Sequence, residues 1–199
     1  MNISLNTTAP CQSETQKIAK LYQSGKLEHA KIEAEALTLR FPKHFFGWKV
    51  LGLINIKSGQ LKKGLSALQK AVSLEPGDFG LHNNLGHILQ KTGKPRQALD
   101  HYRLSLGIKP EQPVVCNLMG NAHRELGEHG KALSCFQKAL DINPDFFEAY
   151  NNMGNTFKAR RYYQNFQGPC RRMGGLQKYE RRRNELRDRL ILDISPAFR

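Results

Sequence analysis

Large apolar residues recur along the chain at a constant interval, and a glycine follows each of them. The apolar positions are Leu51, Leu85, Met119 and Met153, and the glycines are Gly52, Gly86, Gly120 and Gly154, so both sets share one interval. A missing side chain beside a large one lets two backbones approach closely. The pattern therefore predicts pairs of helices that pack together at these glycines.

Two further sets with the same interval mark the ends of the predicted helices. A glycine suits the left-handed residue that ends the first helix of a pair, and a proline cannot continue the second. The glycines are Gly25, Gly59, Gly93 and Gly127, and the prolines are Pro42, Pro76, Pro110 and Pro144. Such an interval, about 34 residues, is typical of helix-turn-helix repeats. We expect an all-α chain with a disordered segment at 1–10 and repeats at 11–44, 45–78, 79–112, 113–146 and, incomplete, 147–160.

The second helix of each unit carries a bulky residue where it meets the first helix. This residue is Leu68, Tyr102 or Phe136 in the second to fourth units, but Ala34 in the first. The first unit also has Ile18 in place of the glycine. Terminal repeats have one uncovered side and commonly depart from the pattern, so we expect this unit to act as a cap.

With Trp48, His82, Cys116 and Tyr150 at an aromatic position, these columns resemble the tetratricopeptide repeat (TPR) over residues 11–160. The resemblance implies a right-handed superhelix of antiparallel helix pairs, with about four full repeats and a partial fifth. It implies a scaffold that binds a protein or an extended peptide in a concave groove lined by the first helix of each repeat.

The outward positions of those first helices are polar and rich in asparagine. A side-chain amide both donates and accepts hydrogen bonds, so a row of amides can pair with the main chain of a peptide of varied sequence. The competing interpretation is that asparagine is merely tolerated on exposed helix faces. The predicted groove residues are Asn83, Asn84, His87, Lys91, Asn117, Asn121, Arg124, Asn151, Asn152 and Asn155.

The TPR regions of bacterial O-linked N-acetylglucosamine transferase-like proteins are similar in having an in-phase asparagine ladder. Asn84 and Asn152 match that ladder, whereas Val50 and Leu118 do not. The stretch FPKHFFGWKVLG also looks like the opening of bacterial TPR regions that precede glycosyltransferase or sulfotransferase domains. The alternative function is therefore the substrate-presenting arm of such a transferase, with the catalytic domain missing from this chain.

The repeat pattern stops at residue 161. Arg161, Phe166 and Lys178 stand where the turn glycine, the small residue and the proline belong. Residues 161–199 are predicted to be a basic tail outside the repeats, with a helix at 176–192. Three interpretations remain open: a helix that caps the solenoid, an element that binds nucleic acid or a membrane surface through arginines and aromatics, or a truncated or frame-altered end.

Charge and composition narrow the function classes. The net charge is +14, and residues 158–199 hold eight of these charges, from 12 Lys and Arg against 4 Asp and Glu. The four cysteines lack metal-ligand spacing, and we find neither a catalytic triad pattern nor a phosphate-binding glycine motif. We predict no enzymatic activity, cofactor or metal. Without a secretory signal or an apolar run long enough for a membrane span, we expect a cytoplasmic protein.

Overall fold

The computed structural model describes residues 9–167, with side chains for residues 9–159. Its regular structure is entirely α-helical over this range, which confirms the predicted all-α tetratricopeptide fold class. The chain divides into two compact units, Met1–Ile108 and Lys109–Arg199.

Two helices form each complete repeat. The helices are α1 (Gln12–Gln23), α2 (Leu27–Arg40), α3 (Phe45–Lys57), α4 (Leu61–Leu74), α5 (Phe79–Lys91), α6 (Pro95–Ile108), α7 (Pro113–Glu125), α8 (His129–Ile142) and α9 (Phe147–Gln167). In the first compact unit, the two helices of each repeat pack against each other, and successive repeats meet through α2 with α3 and through α4 with α5. In the second compact unit, α9 packs against both α7 and α8.

The turn glycines end the first helix of each repeat as predicted. All four have positive φ, between 73° and 76°. Around Gly59, the N–H of Gln60 donates to the carbonyl of Asn55 at 2.8 Å and the N–H of Gly59 donates to that of Ile56 at 3.1 Å. These bonds satisfy carbonyls that the helix end would leave unpaired.

The glycines at the helix crossings make room for one large side chain each. A Cβ atom added to Gly86 would lie 2.5 Å from Cε1 of Tyr102, and one added to Gly52 would lie 2.7 Å from Cγ of Leu68. Gly120 faces the ring of Phe136 still more closely. Leu68, Tyr102 and Phe136 are fully buried, so the two helices of each repeat share one tightly filled contact.

In the first repeat, the large and the small residue of this contact have changed places between the two helices. Its large residue, Ile18, lies on the first helix and is buried, and the fully buried Ala34 lies on the second helix at the position of Tyr102 and Phe136. The departure from the pattern is therefore a packing solution of its own, with the bulk moved from one helix to the other.

The helix of the incomplete fifth repeat extends beyond the point where the repeat pattern stops. We predicted that residues 161–199 form a basic tail outside the repeats, and the backbone of α9 continues as a helix into this segment, to Gln167. The left-handed conformation costs a residue with a Cβ about 1–2 kcal/mol, so without a glycine at 161 the helix continues. The predicted helix at 176–192 lies outside the described residues.

Candidate peptide-binding faces

A hydrogen-bonded set of polar side chains joins α7 to α9 in the second unit. Nδ2 of Asn117 donates to Oε1 of Glu148 at 2.9 Å, and Nδ2 of Asn152 donates to Oδ1 of Asn117 at 3.0 Å. Asn117 is only 1% exposed. Our expectation that it points outward is wrong, because α9 of the next repeat covers it; Asn117 instead holds Glu148 and Asn152 in place.

The other predicted residues of this unit lie around that set, and we call them together the α7/α9 face. Asn121 and Arg124 follow Asn117 by one and two helical turns on α7. On α9, Asn151 and Asn152 are half-buried, and Asn155 is exposed one turn later. Oδ1 of Asn121 is buried without a hydrogen-bond partner among the described residues, so its amide retains unused bonding capacity.

The remaining four predicted residues lie on α5 in the first unit. Asn83, Asn84 and His87 are half-buried, and Lys91 is exposed in the last turn. Partial burial lowers the pKa of His87 below its ordinary value, and the charge of Lys91 lowers it further, so His87 is a neutral donor and acceptor at neutral pH.

A charged contact joins α3 to α5 at the position where Asn117 joins α7 to α9. Nζ of Lys49 donates to Oδ2 of Asp78 at 3.0 Å, while Oδ1 of Asp78 accepts from the N–H of Leu81 and caps α5. Partial burial raises the pKa of Asp78, but the hydrogen bond and charge of Lys49 outweigh this effect, so the pKa lies below its ordinary value. Asp78 is therefore ionised at neutral pH.

Sequence reasoning missed these contacts between repeats. Lys49 and Asn117 occupy the same column of the second and fourth repeats, and each pairs with an acidic residue near the start of the next first helix, Asp78 or Glu148. The sequence does contain a signal for these contacts. The fifth residue of the repeat is polar, and a carboxylate lies close to the start of the next repeat. Such a contact ties neighbouring first helices together and fixes the orientation of the side chains that it joins.

Two histidines form a second polar contact inside the third repeat. Nε2 of the buried His82 donates to the carbonyl of Pro76 at 2.9 Å, as Nε1 of Trp48 does to Pro42 at 3.1 Å one repeat earlier. The Nδ1 atoms of His82 and His101 are 3.1 Å apart, whereas the ring centroids are 5.4 Å apart, so the rings contact each other through their Nδ1 atoms. Because His82 donates through Nε2, its Nδ1 accepts from His101.

The described residues hold neither a cluster of metal ligands nor a helix that could span a membrane. Between residues 9 and 159, no three His, Cys, Asp or Glu side chains converge as metal ligands. In the part of the chain that the structure describes, no helix combines the length and apolar character that crossing a bilayer requires.

Comparisons with known proteins agree with this architecture. Family models described as tetratricopeptide repeat match residues 48–78 and 67–100, and one described as TPR repeat matches residues 120–159. No curated protein matches the chain by sequence.

Several solved structures share the fold. MamA from Desulfovibrio magneticus RS-1 is 14% identical with a TM-score of 0.75, covering 93% of this chain and 96% of its own. PilF from Pseudomonas aeruginosa is 16% identical with a TM-score of 0.72, covering 87% and 74%. YrrB, described as a TPR protein with an unusual peptide-binding site, is 15% identical with a TM-score of 0.73, covering 96% and 93%. At these identities the likeness concerns the fold. Tetratricopeptide repeats are therefore present over residues 48–100 and 120–159 of the chain.

Proposed function

We propose that this tetratricopeptide repeat protein is an interaction scaffold that binds an extended peptide segment of a partner protein on its asparagine-rich faces. The observation that carries the proposal is the set of hydrogen bonds from Glu148 through Asn117 to Asn152. YrrB, which has the same fold, is described as having a peptide-binding site, and this supports the same class of ligand here.

The hydrogen bonds prepare Asn152 to meet a peptide main chain. One N–H of its amide is used by Asn117, which fixes the orientation of the amide plane, while its carbonyl oxygen and second N–H carry no such bond among the described residues. A peptide group offers one donor and one acceptor, which this amide complements. Because the amide is already ordered, less side-chain entropy is lost on binding.

Asn84 occupies the corresponding column of α5 and is half-buried like Asn152. The two amides give one candidate main-chain contact in each unit. Such contacts select for an extended backbone more than for side chains, which fits a scaffold that accepts related segments.

The test uses peptides selected from a random library displayed on phage against the full chain. We expect Asn84→Ala combined with Asn152→Ala to weaken a selected peptide about fivefold on whichever face it binds, since one lost hydrogen bond contributes roughly 1 kcal/mol and 1.4 kcal/mol corresponds to a factor of ten. Fluorescence anisotropy gives the Kd, and circular dichroism checks that helicity is unchanged.

The matched control is Gln69→Ala on the exposed face of α4, which also removes an amide. Its Kd should equal that of the unmodified protein. Unchanged affinity in the double variant, with normal helicity, would remove the two asparagines from the binding site. Failure to select any peptide would contradict the scaffold proposal itself.

The transferase-arm alternative has no support in the comparisons above. A sugar-nucleotide-dependent domain encoded downstream at the same locus would favour it. Cytoplasmic location and nucleic-acid binding by the basic tail likewise remain predictions from the sequence.

A further inference from the structure

Two cations lie one helical turn beyond the asparagines of the α7/α9 face. On α7, Arg124 follows Asn121 by three residues and Asn117 by seven; on α9, Lys158 follows Asn155 by three and Asn151 by seven. Residues at these separations share one side of a helix. Since hydrogen bonds join Asn117 to both Glu148 and Asn152, the two sides adjoin, and both cations border the same surface.

Neither cation is neutralised by an ion pair among the described residues. Lys49 and Lys131, by contrast, pair with Asp78 and Glu128 at 3.0 and 3.2 Å. Arg124 is half-buried and Lys158 is exposed, so both can reach a ligand.

The acidic residues nearby leave this positive charge in place. Glu148 is ten residues from Lys158 on the same helix, about 15 Å at 1.5 Å per residue, and its Oε1 is held by Asn117. That separation exceeds the Debye length of about 8 Å at physiological ionic strength. Glu125 borders the face beside Arg124 but already interacts with another residue.

The position of Lys158 does not follow from a requirement of the helix. Lysine is favoured in the last turn of a helix because it complements the dipole. Lys57 and Lys91, which lie one position later in their repeats than Lys158 does in its own, end α3 and α5. Lys158, however, stands well before the end of α9 at Gln167.

From this arrangement we infer that the α7/α9 face selects peptides that carry an acidic side chain, with the carboxylate bound between Arg124 and Lys158 while the asparagines hold the adjoining main chain. The inference rests on the proposed function and names the ligand class. A carboxylate suits the site because guanidinium and ammonium groups form charge-assisted hydrogen bonds with it. A peptide is favoured over a nucleic acid because the neighbouring groups are amides matched to a main chain.

The experiment compares charge variants of the full chain on peptides selected from the random phage library. We expect selection to enrich Asp and Glu over Lys and Arg. For a selected peptide, replacing its acidic residue by Gln should weaken binding about five- to tenfold, as two partly exposed ion pairs allow. Raising the salt concentration should reduce this difference.

Charge reversal separates this site from the basic tail. Arg124→Glu with Lys158→Glu should reverse the preference, so that a peptide with Lys in place of its acidic residue binds more tightly than the original. The matched control is Lys62→Glu with Lys63→Glu on the exposed face of α4, which changes the net charge equally and should keep the acidic preference.

The outcomes distinguish this inference from the proposed function. Selected peptides that lack acidic enrichment, or that keep their preference in the Arg124 and Lys158 double variant, overturn the inference and leave the scaffold intact. A single-stranded oligonucleotide that binds the unmodified protein and loses binding in that variant, while peptides show no acidic preference, assigns the cations to phosphate instead. Absence of any selected peptide contradicts both proposals.

Discussion

The first and fourth repeats bring two helices into contact with opposite distributions of volume. In the fourth repeat, Gly120 on the first helix faces the ring of Phe136 on the second. In the first repeat, Ile18 supplies the bulk and Ala34 is the small partner. The comparison indicates that the crossing requires one small and one large residue, on either helix, more than a glycine at a particular place.

Transferring the side-chain arrangement of the first repeat to the fourth should give the largest effect on the free energy of unfolding. Gly120→Ile places a side chain against the fully buried Phe136, and we expect a loss of about 3 kcal/mol, since overpacking commonly costs about 1–3 kcal/mol and the ring already touches this backbone. Adding Phe136→Ala reproduces the pair of the first repeat. The double variant should be more stable than the sum of the single changes by at least about 1 kcal/mol. Urea unfolding followed by circular dichroism measures the three variants.

Gly130→Ala is the matched control for this exchange. A Cβ at Gly130, on the exposed side of α8, meets nothing within 4 Å, so the change should be neutral or stabilise the helix by about 0.5–1 kcal/mol. If the stability costs of Gly120→Ile and Phe136→Ala simply add, the small and the large residue cannot change places in the fourth repeat.

The turn glycines should respond alike in both repeats, with a smaller effect. Gly25 and Gly127 have φ of 76° and 73°, and an added Cβ would meet no atom within 4 Å. Alanine there is strained by its backbone alone, so each substitution should cost about 1 kcal/mol, independent of how the adjacent crossing is packed. Chemical denaturation of Gly25→Ala and Gly127→Ala tests this expectation, and a markedly larger cost in one of them would show that the turns differ in packing.

The third repeat contributes a pH dependence through His101, and we expect this to be the smallest effect. Burial lowers the pKa of His101, the neighbouring His82 lowers it further, and Asp100 opposes the shift. The unfolded chain therefore binds more protons in acid. Stability from this group is complete above the ordinary pKa near 6.5 and is lost as the pH falls through that value towards the folded pKa.

The variant His101→Gln isolates this contribution, because a glutamine amide can still donate to Nδ1 of His82. Burial also lowers the pKa values of His44 and His87, so several histidines should contribute to the loss of stability of the unmodified protein as the pH falls through their ordinary pKa near 6.5. The expected result is a shallower loss in the variant, measured as the urea midpoint against pH. Identical slopes would exclude His101 as a contributor.

The fold was largely predictable from the sequence because its determinants act within one repeat. The turn glycines and closing prolines fix where helices end through backbone conformation, and the pairing of Gly86 with Tyr102 follows from sizes in two columns. These effects depend on residues close in sequence, so a periodic pattern displays them directly.

The candidate site was less predictable because it depends on what the next repeat covers. Helical periodicity places Asn117 outward on its own helix, yet α9 buries it. The full length of α9 was missed for a related reason: the absence of glycine at 161 was read as the end of the pattern, whereas physically it removes a stop signal and lengthens the helix.

Each pair of matched volumes lies within a single repeat, on its two helices, as in Gly52 with Leu68 or Ile18 with Ala34. Duplication of a gene segment that encodes one unit therefore copies both partners together and preserves the helix contact. A point mutation changes only one partner and opens a cavity or creates a clash. Copying a whole repeat is thus energetically easier for this fold than changing a single residue at a crossing.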